Sequence, residues 1–141
     1  MSDLQCAATF VFAVAGDEAQ ARELAADLRF RRIAMVYGGD AAGPERTAGA
    51  VADVLGVQMR REALLDGPAV LDGLADQHRG ETALVVAEAA VLAALLPSLV
   101  PGLPASYGAA LTAGDVVQMR VDADGWMVDS WAPEHGSAGG A

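Results

Sequence analysis

The segment ETALVVAEAAVLAALL, residues 81–96, joins two apolar runs through a single ionisable side chain in its interior. Ala83 to Ala87 is short, continuous and valine-rich, the pattern of a strand buried on both faces. Ala89 to Leu96 is an alanine- and leucine-rich run that reads as a helix. Glu88 stands at the junction between them. A strand leading directly into a helix is the building unit of an α/β protein, and the turn between the two is where such proteins place their ligands.

The rest of the chain repeats that unit. Ala7 to Ala15 is a continuous apolar run, followed by Gly16 and by the segment DEAQARELAADLRF, residues 17–30. There Ala21, Leu24, Ala25 and Leu28 mark one side of a helix, with acids at its start and Arg29, Arg31 and Arg32 at its end. Residues 33–37, IAMVY, form a second buried strand, and the glycine-rich GGDAAG leads to Pro44, a residue suited to a helix start. The helix that follows runs to Gly56, a C-terminal stop. VQMRREALL, residues 57–65, is a weaker strand, and GPAVLDGLADQHRG, residues 67–80, a short helix between glycines. After a proline-rich connection, residues 109–131 alternate as two or three antiparallel strands, with DADG as a tight hairpin turn and Gly125 supplying a positive φ. The order predicts a three-layer α/β sandwich with a mostly parallel sheet and an antiparallel C-terminal hairpin. Residues 1–131 are expected to form one domain, and residues 132–141 a flexible tail.

Composition narrows the partners. The chain has 141 residues, 19 acids against 9 bases, a formal charge of −10, and no lysine. That balance argues against nucleic acid and against anionic membrane surfaces. The hydrophobic fraction of 53% and mean hydropathy of +0.30 leave room for an apolar face covered by a second copy, another protein or a ligand. Cys6 is the sole cysteine, so an internal disulfide is impossible and a reducing, cytoplasmic setting is expected. The apolar N-terminal stretch lacks the positive charge of an export signal, and Glu88, Pro97, Pro101 and Pro104 interrupt the other long apolar run.

Several segments resemble the histidine phosphatase superfamily, in its phosphoglycerate-mutase-like branch. QARELAADLRFRRIAMVYGGDAAGPERTAGAVADVLG is similar to the family's helix with "QA..LA..L", its strand ending "VYSS", an arginine, and "QTA..IA..LG". GETALVVAEAAVLAALL resembles "GE.VLVVSHGGVIRALL", and VDADGWMVDSW resembles the closing hairpin. The resemblance covers about Ala7 to Trp131 and implies the family's fold in a shortened chain. It also implies a site, whose chemistry needs a phosphoryl-accepting histidine, a second histidine, two arginines and a carboxylic acid, because phosphoryl transfer is mostly charge neutralisation and positioning. Residue by residue, that machinery is missing. The family's "RHG" falls on Val14, Ala15 and Gly16, and the arginine after "YSS" falls on Gly43. The second histidine falls on Glu88, with Ala87 before it. Glu62 and Asp66 lie in the region of the acid donor without a clear match. Asp17, Asp40 and Glu88 add negative charge where a phosphate dianion would sit.

Other motifs carry less. GGDAAG lacks the ending of a phosphate loop, and DADG lacks the later ligands of a calcium loop. His78, His135 and Cys6 are isolated in sequence, so neither a metal nor a cofactor is expected. His78, at a helix end, reads as a surface residue, and Arg46 as a base pointing outwards. Trp126 and Trp131, five apart, fall on opposite faces of a regular strand. Asp40 has the position of a helix cap, Glu88 that of a carboxylate bonded to the free amides of its own helix, and Tyr37 that of a core residue. Against these bland readings stands a repurposed cleft, lined by Val14, Ala15, Asp17, Tyr37, Gly43 and Ala87, with Glu88 and Asp40 as catalytic acids. A partly desolvated carboxylate there suits isomerisation, elimination or cyclisation of a small neutral molecule. The lysine-free, Ala/Gly/Arg-rich composition resembles chains of high-GC bacteria, whose divergent family members serve specialised metabolism. The competing expectation is a non-catalytic pseudo-enzyme acting as an interaction or oligomerisation module.

Overall fold

The computed structural model describes residues 7–39, 41–62, 68–100, 103, 111–122 and 124–132. Ten elements follow one another: β1 (Ala8–Val14), α1 (Glu18–Leu28), β2 (Ile33–Gly38), α2 (Ala42–Leu55), β3 (Met59–Arg61), α3 (Pro68–Gln77), β4 (Thr82–Ala87), α4 (Ala89–Leu99), β5 (Val116–Asp122) and β6 (Gly125–Ala132). This is the expected strand–helix unit four times over, then a hairpin. The six strands form one sheet in the order β3-β2-β4-β1-β5-β6, parallel through the first four and antiparallel at β5 and β6.

The apolar runs are continuous because both faces of the sheet are covered. Phe10, Phe12 and Val14 of β1, Tyr37 of β2, and Val85 and Ala87 of β4 face α3 and α4. The residues between them, Val11, Ala13, Val36, Leu84 and Val86, face α1 and α2. Helix α1 buries Ala21, Leu24, Ala25 and Leu28, the four residues its periodicity marked. Its start is fixed by a capping box, in which Asp17 accepts the Gln20 amide at 2.8 Å and the Gln20 side chain accepts the Asp17 amide at 2.9 Å. Arg29 is the C-cap residue of α1, and Arg31 and Arg32 follow beyond its end. Gly56 caps α2 in the left-handed region at φ 73°, and Gly125 turns the hairpin at φ 113°.

One further expectation is corrected. Helix α4 continues through Pro97 to Leu99; the ring removes one amide near the helix end, where only the last turn is affected. A bulge at Gln118/Met119 inserts Asp129 into β6, so that Trp126 pairs with Val121 and Trp131 with Val117. Among the described residues, no helix is long and apolar enough to cross a membrane. Ala132, the first residue of the expected tail, belongs to β6; the rest of that tail, 133–141, lies outside the described residues, as do Cys6, Asp66 and His135.

Candidate functional site

The connections define one special place on the sheet. After β1 the chain crosses to α1 on one face; after β4 it crosses to α4 on the opposite face. Strands β1 and β4 are neighbours, so their carboxyl ends flank a topological switch point, the position where open α/β sheets leave a crevice. Ala15, Gly16 and Asp17 follow β1 there, and Glu88 follows β4. The backbone joins the two sides, with the Ala15 amide donating to the Ala87 carbonyl at 2.9 Å and the Gly39 amide to the Val86 carbonyl at 3.0 Å.

Glu88 is the N-cap residue of α4, and its side chain makes no capping hydrogen bond. It is exposed, which overturns the expectation of a partly desolvated acid: the carboxylate leaves its own helix amides and faces water. Its neighbour Ala87 is buried, and so is Val14, while Ala15 is half-buried. Asp17 is exposed, but its carboxylate is held by the capping box. Gly43 is a half-buried residue in the first turn of α2, with nothing within 4 Å of where a side chain would start. Asp40 lies outside the described residues.

Tyr37 turns away from the crevice. It is fully buried, and its hydroxyl lies 2.6 Å from His78 Nε2, while His78 Nδ1 lies 2.8 Å from Glu81 Oε1. In the neutral ring with its proton on Nδ1, facing the Glu81 carboxylate, Nε2 accepts from the Tyr37 hydroxyl. His78 is therefore a buried residue with 6% exposure, not the surface residue its helix-end position suggested. Nothing in the local sequence announces this, because its partner is 41 residues away. Burial pushes the Tyr37 hydroxyl above its ordinary 10.0, against the pull of Arg60 and with Glu62 and Glu81 adding to the rise. The sign follows by linkage: a raised folded-state value gives stability that is present below pH 10.0 and is lost as pH rises through the folded value. Alkaline unfolding is expected to begin above that pH, and Tyr37→Phe is expected to flatten this part of a stability–pH curve measured by urea titration. An unchanged slope in the variant would assign the alkaline loss to other groups.

Asp115, which sequence reasoning missed, is also buried at this end of the sheet. It immediately precedes β5, and its carboxylate accepts the Thr112 amide at 2.8 Å and the Thr112 hydroxyl at 3.1 Å. The Val14 amide donates to its carbonyl at 2.9 Å, so Asp115 shapes the loop beside the crevice. The turn-like pattern TAGD, residues 112–115, was the available signal.

A cleft of about 510 Å³ opens beside the crevice, between the start of α1 and the face of α2. It is bordered by Gly16, Asp17 and Glu18 on one side and by Arg46, Thr47 and Ala50 on the other. Buried Thr47 clamps the two walls, its hydroxyl donating to the Gly16 carbonyl at 3.0 Å and accepting the Gly16 amide at 3.3 Å. Gly38 lets α2 approach the end of β2, since a methyl there would lie 3.1 Å from the Ala48 side chain. Of the residues expected to line a site, Asp17 alone borders this cleft; Val14, Ala15, Tyr37, Gly43, Ala87 and Glu88 do not. Among the described residues, no group of three His, Cys, Asp or Glu side chains is arranged to hold a metal ion.

No protein-family model matches the sequence, and no curated protein matches it. Solved structures do share the arrangement. YhfR of Bacillus stearothermophilus superimposes with a TM-score of 0.75 at 14% identity, over 90% of this chain and 97% of its own. A mutant phosphoserine phosphatase from Entamoeba histolytica, in complex with phosphoserine, gives 0.72 at 11% identity, over 91% and 98%. The phosphoglycerate mutase of Plasmodium falciparum gives 0.65 at 12% identity, over 91% and 92%. The chain has the histidine phosphatase fold. In that fold the crevice between β1 and β4 is the place to which the resemblance assigned the phosphoryl-transfer residues. This chain presents Val14, Ala15 and Gly16 there from β1, and Glu88 from β4.

Proposed function

We propose that this chain is a degenerate, non-phosphatase member of the superfamily that binds a small, largely neutral organic molecule at the switch-point crevice. One observation carries the reading: Glu88 places an exposed carboxylate, uncommitted to its own helix, where the fold's relatives are expected to hold a histidine. Asp17 caps the facing helix, so both helix starts beside the crevice already carry acids. A phosphate dianion meets repulsion there, whereas a neutral donor such as a hydroxyl or amide finds an acceptor. In its catalytic form Glu88 and Asp40 exchange protons with the ligand in an isomerisation, elimination or cyclisation, without a cofactor. The single cysteine and the lysine-free composition fit a cytoplasmic role in specialised metabolism of a high-GC bacterium.

Two measurements test this. Purified protein is expected to show no hydrolysis of p-nitrophenyl phosphate above the buffer rate; turnover abolished by Glu88→Ala would overturn the non-phosphatase reading. Native mass spectrometry after incubation with a deproteinised metabolite extract is expected to give a small-molecule adduct. Glu88→Gln is expected to weaken that adduct about tenfold, the worth of one good charge-assisted hydrogen bond. An adduct equally strong in the variant removes Glu88 from the site.

A second reading has its own observation. Phe30 is 86% exposed and Val54 64% exposed, side chains that a protein partner or a second copy would cover. On that reading the chain is an interaction module, and sedimentation shows an oligomer or hetero-complex that Glu88→Gln leaves intact.

A further inference from the structure

We propose a second binding site, for a small organic monocarboxylate, in the cleft between α1 and α2, with Arg46 as the group that receives the carboxylate. The volume of about 510 Å³ falls within the range of small-molecule sites. Its floor is built from small apolar side chains, buried Ala21 and half-buried Ala50. The polar groups around it are already satisfied, with one exception. Thr47 uses both its donor and its acceptor on the Gly16 backbone. Asp17 takes the Gln20 amide, and Glu18 pairs with Arg22 at 2.9 Å. Glu45, the neighbour of Arg46 on α2, pairs with Arg61 at 3.1 Å. Arg46 makes no hydrogen bond or ion pair among the described residues. Among the described residues lining the cleft, exposed Arg46 is therefore the group free to receive an anion.

The same arrangement fixes the charge of that anion. One guanidinium matches one carboxylate through two parallel hydrogen bonds. A dianion would set its second charge against Asp17 and Glu18, which also border the cleft, at a cost that grows as water is excluded. The ligand's apolar part then lies over Ala21 and Ala50, where an acyl chain or a small ring removes apolar surface from water. Glu88 is not part of this cleft; the cleft shares Gly16 and Asp17 with the switch-point crevice but does not rest on the function proposed for it.

The test is a titration of the full chain with hexanoate, followed by amide chemical shifts, with hexanol and inorganic phosphate as controls. Saturable shifts at Gly16, Ala21, Thr47 and Ala50 are expected with hexanoate. Hexanol and phosphate are expected to bind at least about tenfold more weakly. Arg46→Gln, an exposed substitution that leaves the helix intact, is expected to weaken hexanoate about tenfold or more. Arg46→Lys, which keeps the charge and loses the fork, is expected to fall between. Glu88→Gln is expected to change nothing, and loss of hexanoate binding there would merge the cleft with the crevice and overturn a second site. Equal binding of hexanol, tighter binding of phosphate, an unaffected Arg46→Gln, or the absence of saturable shifts would each overturn the proposal.

Discussion

Replacing Phe10 with alanine is expected to lower the unfolding free energy by about 3–5 kcal/mol, read as an earlier urea midpoint at an unchanged slope. Phe10 is fully buried in the central strand β1, opposite Ala83 of β4 on one side and Met119 of β5 on the other. Its ring lies 6.2 Å from that of Phe12 and 5.4 Å from that of Trp126, and meets the edge of His78 at 6.4 Å. Trp126 is itself tied to α3, its indole N–H donating to Asp72 Oδ1 at 3.0 Å. One side chain thus joins the parallel sheet, the end of α3 and the closing hairpin. Truncation loses the transfer energy of the ring and leaves a cavity that strands on both sides prevent from collapsing. A loss below about 1 kcal/mol would mean that the hairpin re-packs onto the sheet and that the aromatic cluster is not its anchor.

What is legible in the sequence depends on the range of the interactions. β1, β2 and β4 were legible because strands covered on both faces must be apolar without interruption. The buried side of α1 was legible because Ala21, Leu24, Ala25 and Leu28 recur at helical spacing. The adjacency of β1 and β4, which creates the switch point, was not legible, because no local pattern gives the order of strands in a sheet. The orientation of Glu88 was not legible. A carboxylate at an N-cap can fold back onto its helix or extend into water, and the two differ by roughly 0.3–1 kcal/mol at a surface. The cleft at Arg46 was missed because it needs the spacing between two helices, which no local pattern encodes.

His78→Ala is expected to cost about 2–4 kcal/mol, although a histidine at a helix end in sequence suggests a harmless surface change. Its ring is buried between Tyr37 and Glu81, so removal opens a cavity and strands a fully buried hydroxyl with no acceptor. Tyr37→Phe alone, which keeps the ring and loses the hydroxyl, is expected to cost about 1 kcal/mol. The two changes act on one hydrogen bond, so the double variant is expected to be more stable than the sum of the single losses predicts, by about 0.5–3 kcal/mol. The reason lies in the unpaired group: once Tyr37 has no hydroxyl, removing His78 no longer leaves a buried donor without a partner. Strict additivity in urea unfolding would show that the 2.6 Å contact contributes nothing net, and that His78 fills space beside Phe10. Coupling within the expected range would instead identify the Tyr37–His78–Glu81 chain as the polar pin that joins β2 to the end of α3. That pin holds the face of the sheet opposite the α1/α2 cleft, so ligand binding at Arg46 is expected to survive in the His78→Ala protein wherever it remains folded.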